Sequence, residues 1–246
     1  MQNERKSCRP KNLVWRVETQ LTMGIREIEV AGQRLTIHEL DDLCDSSTGR
    51  PLTGSWLWDS ALVLSQWLAT SPLDFRGKSV LVLGAGTCLP GLTAARLGAR
   101  LVVLTDVAPL LPSLLRNVEA NELGNQVEVR ELVWGSDESL SQIGDLGEFD
   151  VVLMSDVFFD PEQMGALGST LKRVCGERSR VWAASEVRPW TGECLNELVS
   201  QGFGVVELPS GSRGGDSEAD VGQEVFAVYH LIPPTGEKCH VGDILA

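Results

Sequence analysis

The sequence lacks several features that would point to other classes of protein. Its opening residues are charged or polar without an apolar core, so no secretory signal is expected, and no run approaches the roughly 18 apolar residues that span a bilayer. The six cysteines form no Cys-x-x-Cys pair, which in a reducing compartment favours free thiols over disulfides or a zinc site. We therefore expect an intracellular protein without a metal, in the cytoplasm, the nucleus or both.

The chain also lacks a surplus of basic charge. It carries 34 acidic and 21 basic residues among 246, and its net charge of −13 argues against binding nucleic acid through phosphate contacts. A basic protein segment suits such a surface better, and no membrane contact is expected. The length and the hydrophobic content of 43% fit one globular domain. We place it at residues 25–246, after an N-terminal lead-in at residues 1–24.

A glycine turn between an apolar strand and a helix is the most informative feature that is present. Residues 80–91 read Val-Leu-Val-Leu-Gly-Ala-Gly-Thr-Cys-Leu-Pro-Gly. Gly84 and Gly86 let the backbone turn sharply and approach a ligand closely, which predicts a nucleotide-type cofactor site. The dinucleotide fingerprint would need a third glycine where Leu89 stands, and no Gly-Lys-Ser/Thr follows, so NAD and a Walker-type phosphate loop are disfavoured.

Asp106 narrows the prediction for the cofactor. It follows the next apolar run, about 20 residues past the turn, where an acid can accept hydrogen bonds from both ribose hydroxyls. The short Gly-x-Gly turn with this acid is typical of S-adenosylmethionine enzymes. Trp134, beside a glycine at a later strand end, offers a flat face for the adenine.

Strands and helices alternate along most of the chain. The predicted strands span residues 79–83, 101–105, 127–133, 150–155 and 180–184, and the helices between them begin near Pro90, Pro109, Pro161 and Thr191. Two further strands at 203–208 and 224–232, around a Gly/Ser/Asp-rich segment at 210–222, add an antiparallel hairpin. The sequence therefore predicts an α/β fold of the class I methyltransferase type, with a Rossmann-like seven-stranded sheet whose last strand is antiparallel.

The segment before this sheet has its own pattern. Residues 25–39 alternate apolar and polar around Ala31-Gly32, which predicts a hairpin. Residues 41–55 are predicted to be a loop, and a helix is predicted from Trp58 to Ser71.

Parallel α/β sheets bind ligands beyond the carboxyl ends of their strands. That rule selects the glycine turn, Asp106, Trp134, Ser155-Asp156 and Glu186. Asn117 and Asn121, four residues apart on one helix, fit a structural role and a functional role equally well.

Several of these motifs together resemble the seven-strand protein methyltransferases grouped as lysine methyltransferase family 16. The matching motifs are Trp58-Asp59-Ser60-Ala61, Leu83 to Gly86, Asp106, Asn117-Val118 with Asn121, Trp134-Gly135 and Asp156-Val157-Phe158-Phe159. The resemblance runs from about residue 25 to the end and implies a protein substrate. We expect the cofactor to contact Trp58, Gly84, Ala85, Gly86, Asp106, Trp134 and Ser155.

Within this family, residues 89–91, 155–162 and Val187-Arg188 look most like a member that methylates arginine in histone H3. In most of the family a tyrosine stands where this chain has Phe159. The resemblance therefore implies arginine methylation of a histone or another basic protein. A lysine substrate, a small-molecule substrate and a weakly catalytic cofactor-binding scaffold remain alternatives.

The catalytic assignments follow from the acceptor's charge. A carboxylate that binds a guanidinium positions it and offsets its charge. For this role Asp156 is the first candidate, Glu186 the second and Glu162 a distant third. Phe159 and Phe158 are expected to line the channel that the acceptor side chain enters. Asp156 could instead cap the helix near Pro161 or pair with a basic residue such as Arg188.

Two positions depart from the family pattern. Val82 stands where the family has a glutamate, and Cys88 where it often has a third glycine. We expect the missing acid to weaken the hold on the cofactor's amino group, and Val82→Glu to restore it if the new side chain reaches the crevice rather than the core.

Overall fold

The structure is a computed structural model that describes residues 17–18, 24–40, 44, 49, 51–208 and 226–234. Ten strands are described. They are β1 Val17–Glu18, β2 Ile25–Val30, β3 Gln33–His38, β4 Ser79–Leu83, β5 Leu101–Asp106, β6 Val127–Glu131, β7 Phe149–Ser155, β8 Cys175–Glu186, β9 Gly204–Leu208 and β10 Phe226–Ile232. The α-helices are α1 Asp59–Thr70, α2 Leu89–Arg96, α3 Leu111–Ala120, α4 Asp137–Ser141, α5 Met164–Val174 and α6 Thr191–Ser200. Short 3-10 turns lie at Thr53–Ser55, Ala108–Leu110, Gly144–Leu146 and Pro161–Gln163.

Seven of the strands form one sheet in the order β6-β5-β4-β7-β8-β10-β9. The pairs from β6 to β8 are parallel, and β10 is antiparallel to both of its neighbours. The predicted fold class is therefore confirmed. The strand order reverses between β4 and β7, which places the ligand crevice beside the glycine turn that follows β4.

Two hydrophobic cores cover the two faces of this sheet. Val80, Val82 and Leu104 belong to the core that includes residues of α1, α2 and α3, whereas Leu81 and Leu83 belong to the core formed with α5 and α6. The alternation follows from the two-residue period of a strand. Because both faces are buried, the strands read as continuous apolar runs, and this is why the sequence located them well.

Two elements differ most from the sequence prediction. β8 begins at Cys175, five residues before the predicted start at 180. The first half of this strand is polar and partly exposed, so it shows no apolar run in the sequence. Helix α4 was not predicted, since five residues are too few to show a helical period. Its signal was Ser136, whose hydroxyl accepts the Ser139 amide at 3.2 Å as an N-cap.

The predicted N-terminal hairpin is confirmed as β2 and β3, which pair antiparallel. Ala31 and Gly32 both have positive φ, 53° and 70°, as a tight hairpin turn requires. β1 pairs with β2, so two residues of the predicted lead-in are in a strand. Apart from Gly24, the rest of that lead-in lies outside the described residues, as does the predicted segment at 210–222. None of the described helices is long and apolar enough to cross a membrane.

Asn117 on α3 and Asn121, the residue directly after α3, connect this hairpin to the main sheet. The amide of Asn121 binds both the N–H and the C=O of Thr36, at 2.9 and 2.7 Å. The amide of Asn117 binds the N–H and C=O of His38 at 2.7 and 3.2 Å and also donates to the Thr87 carbonyl at 3.2 Å. These contacts show a structural role for the pair, which connects β3 to the glycine turn.

Candidate active site

The glycine turn after β4 has the backbone geometry that the sequence predicted. Gly84 and Gly86 have φ of +62° and +53°, in the left-handed region that favours glycine. The Ala85 amide donates to the Thr105 carbonyl at 2.9 Å and ties the turn to the end of β5. A Cβ at Gly84 would lie 3.3 Å from Cζ2 of Trp134, so the glycine keeps room beside the indole ring.

Asp106 ends β5 and shapes the same turn through its carboxylate. Its Oδ2 accepts the Gly86 amide and its Oδ1 accepts the Val107 amide, both at 2.9 Å. Burial raises the pKa of Asp106, and the two amide hydrogen bonds oppose that rise. Each carboxylate oxygen has a second lone pair, so Asp106 can still receive two ribose hydroxyls.

A segment before α1 lies over the glycine turn, and we call residues 53–58 the cover segment. A Cβ at Gly86 would lie 3.0 Å from the carbonyl oxygen of Gly54, so the two backbones meet closely. The indole N–H of Trp58 donates to the Thr53 carbonyl at 3.0 Å. Gly54 carries no sequence signal for this role, because the close approach of two loops leaves no periodic pattern.

Acidic side chains at the ends of β7 and β8 meet around one arginine. Oδ1 and Oδ2 of Asp156 accept hydrogen bonds from Nη1 and Nη2 of Arg188 at 3.0 and 3.1 Å. Oε2 of Glu186 accepts from Nε of Arg188 at 3.1 Å and lies 2.8 Å from its Nη2. The guanidinium carbon of Arg188 lies 5.7 Å from the centroid of the Trp58 ring, within cation–π distance. We call Asp156, Glu186 and Arg188 the acid–arginine cluster.

The electrostatics of this cluster are dominated by partial burial. The side chains of Asp156 and Arg188 are 11% and 15% exposed, whereas that of Glu186 is 39% exposed. Burial works to lower the pKa of Arg188, but the hydrogen bonds and charges of Asp156 and Glu186 outweigh it and raise that pKa overall. Two carboxylates and one guanidinium give the cluster a formal charge of about −1. It therefore remains attractive to a cation.

The pairing of Asp156 with Arg188 is the alternative that the sequence left open. Asp156 does not cap the next helix, because the side chain of Asp160 accepts the Glu162 amide there at 3.0 Å. Glu162 itself is exposed on the Pro161–Gln163 turn.

Only one of the two phenylalanines is positioned to wall a channel. Phe158 is fully buried and meets Tyr229 edge to face, with ring centroids 5.8 Å apart. The prediction that Phe158 walls the channel is therefore wrong, since this side chain belongs to the core on the α5 side of the sheet. Phe159 is 52% exposed and remains available to a substrate.

The structure explains both departures from the family pattern. Val82 points into the core, where its Cγ2 would lie 3.0 Å from a Cβ built on Gly91 of α2. A glutamate there would enter the core, so the condition for Val82→Glu to help cofactor binding is not met. Cys88 has φ of +74°, which is the conformation that a glycine at this position adopts without strain.

The glycine turn and the acid–arginine cluster lie on one edge of the sheet. Cγ1 of Val157, the neighbour of Asp156, would lie 3.5 Å from a Cβ on Gly84. Ser155 ends β7 between them. The cover segment joins the two centres from above, because it contacts Gly86 at one end and Arg188 at the other.

Comparison with known proteins decides which family this arrangement represents. The lysine methyltransferase family matches residues 38–211, which include the hairpin's end, the glycine turn and the acid–arginine cluster. The chain belongs to this family. Relatives include protein N-lysine methyltransferase METTL21A of Mus musculus, 40% identical over 54% of this chain and 60% of its own length. Another is histone-arginine methyltransferase METTL23 of Rattus norvegicus, 34% identical over 73% of this chain and 80% of its own length.

A solved structure supports the fold of this lysine methyltransferase family member. A putative methyltransferase complexed with SAH matches with a TM-score of 0.58 and 18% identity, over 86% of this chain and 57% of that one. The chain is accordingly an S-adenosylmethionine-dependent protein methyltransferase. The residues at the turn fit this cofactor. The glycines allow close approach, Asp106 suits the ribose, and Trp134 offers its ring beside Gly84.

Proposed function

We propose that this enzyme methylates a lysine side chain of a basic protein substrate at the acid–arginine cluster. One observation carries the proposal. Three of the four carboxylate oxygens of Asp156 and Glu186 already bind Arg188. Oε1 of Glu186 has no hydrogen-bond partner among the described residues, and it is the acceptor that is open to a substrate.

A single open oxygen suits an ammonium better than a guanidinium. The amine of lysine is a compact donor that one carboxylate oxygen can orient, whereas the planar fork of arginine binds best to two oxygens at once. The resemblance in the sequence favoured arginine. The occupied oxygens of Asp156 are the reason that we prefer lysine and give Glu186, rather than Asp156, the contact with the acceptor.

The charge balance also suits an amine that must lose its proton before it reacts. S-adenosylmethionine supplies a methyl group on a sulfonium, which the amine lone pair displaces in line while the carbon–sulfur electrons stay on sulfur. Arg188 offsets one of the two carboxylates. The cluster therefore holds an ammonium less strongly than two bare acids would, and its proton is released to solvent more easily.

Apolar side chains next to the cluster suit the rest of a lysine side chain. Trp58, Phe159, Val187 and Trp190 are between 37% and 52% exposed, so they are accessible to a substrate. They offer contact to the methylene stem and exclude water from the reacting amine.

Arginine is the second candidate, and one observation favours it. The acid–arginine cluster already binds a guanidinium with the fork geometry that an arginine substrate needs. A relative named as a histone-arginine methyltransferase supports the same candidate.

The experiment that decides between them needs no known substrate. The protein is incubated with isotopically labelled S-adenosylmethionine and a heat-treated whole-cell extract, in which other methyltransferases are inactive, and labelled residues are mapped by mass spectrometry. We expect label on lysine. Label confined to arginine would contradict the proposal, and binding of the cofactor without any label in protein would support the scaffold alternative.

We also propose a histone or another basic protein as the substrate, and the cytoplasm or nucleus as the location. The net charge of −13 supports a basic partner. The free thiols at Cys44, Cys88, Cys175 and Cys194 support a reducing compartment.

A further inference from the structure

We infer that Glu39 is a positioning residue for the cofactor site, because its side chain holds the cover segment against the glycine turn from the side of the N-terminal hairpin. The inference goes beyond the proposed function. It concerns the binding of S-adenosylmethionine and is the same whether the methyl acceptor is a lysine or an arginine.

The side chain of Glu39 joins the hairpin to the cover segment. Its Oε1 accepts the Leu57 amide at 2.7 Å, and its Oε2 pairs with Nε of Arg26 on β2. The backbone of Glu39 is itself fixed, since its amide donates to the Gly24 carbonyl at 2.6 Å. The carboxylate therefore reaches the cover segment from a position that the hairpin holds in place.

The cover segment needs such contacts from outside itself. Apart from its 3-10 turn at Thr53–Ser55, it forms neither helix nor strand. The hairpin end supplies partners at two points. Leu40 donates its amide to the Ser55 carbonyl at 3.2 Å and accepts the Ser55 hydroxyl at 2.7 Å, and Glu39 accepts the Leu57 amide. Leu57 is 7% exposed, so its amide would lose a buried hydrogen bond without Glu39.

The same end of the hairpin also contacts the glycine turn. The amide of Asn117 binds the backbone of His38 and donates to the Thr87 carbonyl. Gly54 of the cover segment approaches Gly86 of the turn so closely that a Cβ there would lie 3.0 Å from the Gly54 carbonyl oxygen. The hairpin end therefore fixes both the glycine turn and the segment that lies over it.

Cofactor affinity should depend on this arrangement. Loss of the Leu57 contact would let the cover segment sample more conformations in the free protein. Binding of the cofactor would then have to order the segment again, and that ordering costs affinity. Glu39 acts through Leu57 and not by touching the cofactor, so a side chain that restores the Leu57 contact should restore the affinity.

Three variants separate this role from a general contribution to stability. Glu39→Ala removes the acceptor of the Leu57 amide. Glu39→Gln supplies an amide oxygen in its place, while Arg26, whose side chain is 24% exposed, can turn to solvent. Arg26→Met breaks the same ion pair but leaves the contact between Glu39 and Leu57. Glu39→Met, which keeps the length of the side chain without an oxygen acceptor, serves if the alanine variant does not fold.

The first readout is the affinity for S-adenosylhomocysteine, measured by calorimetry on folded protein. Glu39→Ala should weaken binding about tenfold, which corresponds to about 1.4 kcal/mol. Glu39→Gln and Arg26→Met should both stay within about threefold of the native affinity.

The second readout is hydrogen exchange of the free protein, which needs no ligand. Peptides that cover residues 53–58 should exchange faster in Glu39→Ala than in native protein and at the native rate in Glu39→Gln. Strand β4 should stay equally protected in all variants, because it lies in the core of the sheet.

The inference fails if folded Glu39→Ala or Glu39→Met protein binds S-adenosylhomocysteine with native affinity. An equal loss of affinity in Arg26→Met also overturns it, because the ion pair within the hairpin would then be what matters. So does an equal loss in Glu39→Gln, or a loss in Glu39→Ala without faster exchange at residues 53–58, since the cover segment would then not be what Glu39 positions. None of these results bears on the choice between lysine and arginine, so the proposed function stands or falls separately.

Discussion

Glu186 is the residue on which the proposed chemistry depends most. Its Oε2 helps to hold Arg188, and its Oε1 is the oxygen that we propose contacts the acceptor. Glu186→Gln keeps the shape and removes the charge, so we expect methyl transfer to fall by roughly 10 to 1000-fold, or about 1.4 to 4 kcal/mol. Cofactor affinity should not change. Rates are measured with labelled cofactor on the heat-treated extract.

Glu162→Gln is the matched control for this substitution. Glu162 is an exposed glutamate close in sequence to Asp156 but outside the acid–arginine cluster, so the same change there should leave the rate as it is. Equal losses in the two variants, or native rates in Glu186→Gln, would remove Glu186 from the reaction.

Asp106 is expected to serve the cofactor rather than the acceptor. Asp106→Ala removes a charged acceptor for the ribose, and it also releases the Gly86 amide that shapes the turn. Hydrogen bonds to charged groups contribute about 1.5–3 kcal/mol, so the affinity for S-adenosylhomocysteine should fall by that amount in calorimetry. Native affinity in a variant that melts cooperatively would rule out the ribose assignment.

Cys88 permits a test of backbone strain at the start of α2. With φ of +74°, this position should favour glycine over alanine by about 1 kcal/mol, whereas the interior of a helix shows the opposite order. We therefore expect Cys88→Gly to be more stable than Cys88→Ala in urea denaturation, although both lose the buried thiol. Greater stability of the alanine variant would show that Cys88 is not strained.

Among the elements, helix α2 depends on a close approach to the sheet. A Cβ on Gly91 would overlap Cδ2 of Leu104 and would lie 3.0 Å from Cγ2 of Val82. Gly91→Ala should therefore reduce the free energy of unfolding by about 1–3 kcal/mol, as overpacking does. Gly165 on α5 has no atom within 4 Å of a built Cβ, so Gly165→Ala should be neutral or stabilising by up to about 1 kcal/mol. Similar effects of the two changes would contradict this packing.

The elements also show what the sequence could predict and why. The strand at 79–83 and the helix that follows Trp58 were found to within a residue, because buried apolar runs and helical periods are local signals. The start of β8 and helix α4 were missed where those signals are weak. The carboxyl-edge rule then placed the candidate site residues on one edge without any knowledge of tertiary contacts.

Contacts between distant segments account for what the sequence left undetermined. Asp156 and Arg188 are 32 residues apart, and no local pattern in the sequence shows that the Arg188 guanidinium binds the Asp156 carboxylate. Phe158 and Phe159 are adjacent in a turn after β7, yet one is in the core and the other is exposed, and a turn has no periodic pattern from which the sequence could tell them apart. The sequence therefore indicated candidate site residues, and the structure was needed to show which of them contact one another.

At the scale of the whole molecule, three parts converge on the same edge of the sheet. The end of the N-terminal hairpin binds the cover segment, because the Glu39 carboxylate accepts a hydrogen bond from the Leu57 amide at 2.7 Å. The cover segment meets the glycine turn at Gly54 and the acid–arginine cluster at Trp58. This arrangement places the proposed cofactor site and the proposed acceptor site under one segment, and an in-line transfer requires that the two sites lie close together.

A crystal structure of the complex with S-adenosylhomocysteine tests this account most directly. We predict that the ribose hydroxyls lie within hydrogen-bond distance of Asp106, that the adenine lies beside Trp134, and that the sulfur faces the opening between Glu186 and Phe159. A ligand bound away from Gly84–Gly86, or one whose sulfur points away from the acid–arginine cluster, would contradict the account.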